Sequence, residues 1–60
     1  MSRTIKVRRK YHCLFECADE LIYVHYEDLH GYIHYEHSDD PTKQTYTMTN
    51  VEFLKYQRVS

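Results

Sequence analysis

Five histidines fall between His12 and His37, and they are the residues of this chain with the widest chemical range. Imidazoles ligate metals, relay protons or change charge near neutral pH. Their spacing limits which of these they can do together. His34 and His37 are three apart, and His30 precedes His34 by four, a spacing that lines up on a helix and not on a strand. On strands, only the cross-strand pair His25–His34, joined by His12, converges on one ion. Solvated surface imidazoles are therefore the expectation, with a pH-sensitive surface as the alternative use. No metal and no cofactor is assigned.

The nucleophiles support catalysis no better. Cys13 and Cys17 are four apart, which on a strand separates them by about 13 Å at about 3.3 Å per residue. That is too far for a disulfide, and the C-x2-C spacing of a zinc site is absent. They are expected as two small buried side chains. His37-Ser38-Asp39 is a sequence neighbourhood, whereas triad members come from separate segments. The single glycine, Gly31, cannot build a phosphate-binding loop. The chain is expected to be no enzyme.

Charge is sorted by position. Arg3, Lys6, Arg8, Arg9 and Lys10 form a basic segment over residues 1–10. From Tyr11 to Asp40 there is no Lys or Arg, against eight acids. The net charge of −1 therefore conceals a basic arm and an acidic, tyrosine-rich body. Such segregation governs what a surface attracts. Sixty residues with 42% hydrophobic content make one domain spanning 1–60, near the lower size limit for unaided folding. The composition is too apolar for a disordered chain. No apolar run approaches the roughly 20 residues that span a bilayer. No apolar stretch follows the basic segment as in a secretory signal. A cytoplasmic protein without membrane contact is the expectation.

The elements that position these groups read as strands. Ile5, Val7, Tyr11, Cys13, Phe15 and Cys17 occupy alternate positions, with polar residues between them except at Arg9 and Leu14. Leu21–Tyr26 and Tyr32–His37 repeat the pattern. With Asp28–Gly31 as a four-residue loop, Glu27 faces Tyr32, Tyr26 faces Ile33, His25 faces His34 and Val24 faces Tyr35. For the earlier hairpin, a two-residue turn at Ala18-Asp19 aligns Phe15 with Ile22 and His12 with His25. Ala-Asp is poor two-residue turn chemistry, which favours a four-residue loop, Ala18–Leu21. Ser38–Lys43 is a loop, and Gln44–Met48 resumes alternation. Thr49 and Glu52 fit a capping box, with Met48 and Phe53 as its hydrophobic staple. One helical turn at about 49–54 is expected, then a short strand at 55–59.

The fold expected is mainly β: about five short antiparallel strands in an SH3-like open barrel or curled meander. The alternative is a four-stranded antiparallel sheet with a C-terminal helix over 49–57. The function expected is a protein-interaction module, a small inhibitor or regulator. Its acidic face of Tyr23, His25, Glu27, Tyr32, His34 and Glu36 would engage a basic patch on a protein target. The alternative is a nucleic-acid binder using Arg3, Lys6, Arg8, Arg9 and Lys10 with exposed tyrosines. A homodimer, basic arm on acidic body, is a further expectation.

Overall fold

The computed structural model describes residues 7–59, so Arg3 and Lys6 of the basic segment, and Ile5 of the first strand pattern, lie outside the described residues. Strands β1 (Val7–Cys17), β2 (Glu20–Asp28), β3 (Tyr32–His37) and β4 (Thr45–Thr49) form an antiparallel meander. The turn α1 (Asn50–Phe53) follows, and β5 (Gln57–Arg58) returns to pair with β1. The order across the sheet is β4-β3-β2-β1-β5. It is one open sheet with a helical turn before its last strand, the mainly β arrangement that the alternation predicts. The four-stranded alternative is overturned: the Tyr56 N–H closes the turn on the Phe53 carbonyl at 3.0 Å, and Gln57 and Arg58 then pair with Glu16 and Phe15.

Both hairpins close with shorter loops than the expected four residues. Cys17 pairs with Glu20 and Phe15 with Ile22, so Ala18 and Asp19 alone make the first turn. Ala18 takes the left-handed conformation, φ +55°, which costs a non-glycine residue about 1–2 kcal/mol. The extra cross-strand pairs, Phe15 against Ile22 among them, outweigh that local cost. The second loop shortens to Leu29-His30-Gly31. Gly31 lies at φ +86° and donates its N–H to the Asp28 carbonyl at 3.1 Å. This is the geometry of a three-residue hairpin, which needs a left-handed residue at its end.

An odd-numbered loop reverses the parity of one strand against the other. A bulge at His25 reverses it back: Tyr26 pairs with His34 and Glu27 with Ile33, whereas Val24 pairs with Tyr35 as expected. The expected pairs His25–His34, Tyr26–Ile33 and Glu27–Tyr32 do not form. Glu27 consequently turns to the core side and is only 7% exposed.

The core lies on one face, where Ile22, Val24 and Ile33 are fully enclosed beside Phe15 and Met48. The link from β4 to β5 crosses this face and covers it. Phe53 packs tilted 4.7 Å from Phe15 and edge-on 5.4 Å from Tyr11, and Tyr56 stacks 6.2 Å from Phe53. The capping box is present in half: the Glu52 N–H donates to Thr49 Oγ1 at 3.2 Å. Both staple residues, Met48 and Phe53, are buried. Tyr56 Oη donates to Glu20 Oε1 at 2.8 Å; burial first, then this bond, push the phenol well above its ordinary value. Cys13 and Cys17 are free thiols, half-buried against the core rather than enclosed by it.

Candidate functional site

The second face of the sheet carries the polar and aromatic residues. Directly opposed residues share a face, so the pairs Leu14–Tyr23, Lys10–Tyr26, Tyr26–His34, His34–Thr47 and Glu36–Thr45 mark it out from β1 to β4. None of these side chains is enclosed, and Tyr32 at its margin is 47% exposed. The bulge at His25 places both His25 and Tyr26 here, where strict alternation would place one of them inside.

Two histidine–carboxylate bonds order this face. His25 Nε2 donates to Glu36 Oε1 at 2.8 Å, joining β2 to β3. His34 Nε2 donates to Asp28 Oδ2 at 2.8 Å and stacks on Tyr26 at 4.4 Å between ring centres. Asp28 Oδ1 accepts the N–H groups of His30 and Tyr32 at 2.9 and 3.0 Å. The His34 bond first, then the Tyr32 amide, hold the Asp28 carboxyl below its ordinary range. Tyr23 meets His25 edge-on at 5.0 Å, and His12 lies 6.5 Å from His25 on its other side. His12 is itself at φ +53°, within an irregularity of β1 between Lys10 and Cys13.

Of the six residues expected on this surface, Tyr23, His25, Tyr32, His34 and Glu36 lie there. Glu27 does not: it sits on the core side with Arg8 Nη1 3.7 Å from its Oε2. Sequence reasoning missed Tyr26 and Asp28. The available signal for Asp28 was its place three residues before the only glycine, where an Asx side chain caps a turn. The row of His12, His25 and His34 does not converge, because His34 is taken up by Asp28 and Tyr26. Among the described residues, no group of three or more His, Cys, Asp or Glu is arranged to hold a metal ion.

Arg8, Arg9 and Lys10 are exposed on the N-terminal half of β1. Arg8, Arg9 and Tyr11 form one wall of a groove of about 400 Å³ whose other wall is α1. Val51 and Leu54 stand on that wall, 72% and 80% exposed. Among the described residues, no helix is long and apolar enough to cross a membrane. In comparison with known proteins, the chain matches no family model, and no curated protein or solved structure is significantly similar to it.

Proposed function

We propose that the chain is a non-enzymatic protein-interaction module, a small inhibitor or regulator whose open sheet face engages a basic patch on a target protein. One observation carries this reading: an uncovered face on which Tyr23, Tyr26 and Tyr32 stand among carboxylates held by short histidine bonds. Rigid aromatic groups with few rotatable bonds anchor protein interfaces at low entropic cost. The carboxylates of Asp28 and Glu36 accept from the His34 and His25 rings, and they steer a cationic partner. Relative to the expected set, Glu27 drops out and Tyr26 and Asp28 join.

Affinity capture from the host lysate, with the wild type beside a Tyr23→Ala, Tyr32→Ala, Glu36→Ala variant, tests the reading. A protein retained by the wild type and lost by the variant supports it. Equal capture by both removes it. The exposed Arg8, Arg9 and Lys10 favour a second reading, nucleic-acid binding. Salt-dependent retention of random DNA or RNA, abolished by alanine at those three positions, would put that reading first. The same charge sorting also suits a homodimer with the basic segment of one copy on the acidic face of another. Sedimentation at low and high salt detects it as a mass that falls with salt.

A further inference from the structure

β1 is an interior strand only in part. On the side away from β2, β5 pairs with Phe15 and Glu16, and the Val59 N–H reaches the Leu14 carbonyl at 2.9 Å. From Val7 to Tyr11, among the described residues, that side has no partner strand. The unpaired backbone there is a template for another extended chain. The groove between β1 and α1 opens beside it, with Ile33 and Phe53 among its lining residues.

We infer that this edge and groove form a docking site for an extended acidic peptide carrying apolar side chains at alternate positions. Strand addition supplies main-chain bonds along Val7–Tyr11. Side chains of an added strand alternate in direction, so one set enters the groove against Val51 and Leu54. Val51 lies on the outer side of a four-residue helix whose inner side spends Phe53 on the core, and Leu54 is that helix's exposed C-cap. They contribute nothing to folding that would explain their exposure. Charge complementarity selects the peptide's acids: Arg9 and Lys10 make no ion pair among the described residues, and the groove's one carboxylate, the buried Glu27, is paired with Arg8 at 3.7 Å.

A second copy fits this edge poorly. Two β1 edges in antiparallel contact would set Arg8, Arg9 and Lys10 of both chains against one another. The free edge of β4, Thr45–Thr49, carries no acid to meet them. Nucleic acid would satisfy the charges but not the aliphatic wall, which offers no exposed aromatic ring for a base to stack on. The site meets the Tyr/His face only through Lys10, which opposes Tyr26, while its groove with Val51 and Leu54 lies on the covered side, so its success or failure leaves the proposed function standing.

A short fluorescein-labelled peptide of alternating Glu and Leu serves as the probe, with the same peptide bearing Lys for Glu and an oligo-dT strand as comparisons. Anisotropy gives affinity, and amide shifts give the place of binding. The expected result is binding of the acidic peptide with shifts confined to Val7–Tyr11 and Val51–Leu54. R9E and L54D should each weaken it by about tenfold, the equivalent of one good contact. Both positions are exposed, so both variants should fold as the wild type does. The proposal is overturned by no binding of the acidic peptide, by equal binding of the Lys peptide, by indifference to L54D, or by oligo-dT displacing the peptide.

Discussion

The two faces of this one sheet are built on different physics. On the covered face, Phe15, Ile22, Val24, Ile33, Met48, Phe53 and Tyr56 form one buried cluster, with Glu27 the only buried charge among the described residues. On the open face, order comes from hydrogen-bonded pairs, His25 with Glu36 and His34 with Asp28, and from the ring stack of Tyr26 on His34. Enclosing one large aliphatic side chain stabilises by about 1.5–3 kcal/mol. A partly exposed ion pair is worth about 0–1 kcal/mol. Stability therefore resides on one side of the sheet, and the other side is left free for recognition at little cost to folding.

Substitutions break or sharpen this contrast in descending order of effect. Ile22→Ala or Ile33→Ala should lose about 2–5 kcal/mol, measured by urea unfolding. For a domain this small, that approaches its entire stability. A loss below about 1 kcal/mol would mean that the covered face is not where the stability lies.

Gly31→Ala comes next. Its φ of +86° disfavours any side chain, and an added Cβ would stand 3.2 Å from Asn50 Nδ2. A loss of about 1–2 kcal/mol is expected. Tyr56→Phe should lose about 1 kcal/mol with its bond to Glu20. Ultraviolet titration should show Tyr56 and Tyr35 ionising above the ordinary tyrosine range, with the Tyr56 part missing from the variant.

On the open face, a double-mutant cycle of His25→Ala and Glu36→Ala should give a coupling below about 1 kcal/mol. The smallest effect is a pH effect. Asp28 is held below its ordinary value, so its contribution is present above that value and fades as pH falls through its lowered one. Asp28→Asn should remove that portion of the acid dependence: its small loss appears at neutral pH and vanishes at low pH, where the wild-type carboxyl is protonated. Acid titration by circular dichroism reads the difference.

The strands were legible because their apolar residues alternate, and α1 because Thr49 and Glu52 announce a cap. What the sequence concealed were the places where parity changes. Nothing around His25 marks a bulge: it has no glycine, proline or asparagine beside it. The bulge follows instead from the Gly31 loop being one residue shorter than expected, a fact settled by the distant apolar match of Val24 with Tyr35. Glu27 moved inside for the same reason, and Tyr26 moved out. The turn at Ala18-Asp19 misled as well, since local turn chemistry argued against what cross-strand packing imposed. Five of the six residues expected on the open face therefore lie there, with Glu27 misplaced and Tyr26 and Asp28 overlooked.

Among the described residues, three of the four strand ladders join neighbours along the chain, and only β1 with β5 joins distant segments. Local hairpins close within microseconds, whereas a ladder between distant segments must wait for the chain between them to be placed. The two-residue strand β5 is thus the last part to assemble and the first to open. Amide exchange at Arg58 and Val59 should proceed through partial opening that leaves the β2–β3 hairpin protected. When β5 opens, Phe15 and Glu16 gain free backbone groups and the whole length of β1 becomes an edge. The lifetime of that short final ladder sets how far along β1 the adhesive edge reaches, from Val7–Tyr11 alone to the whole strand.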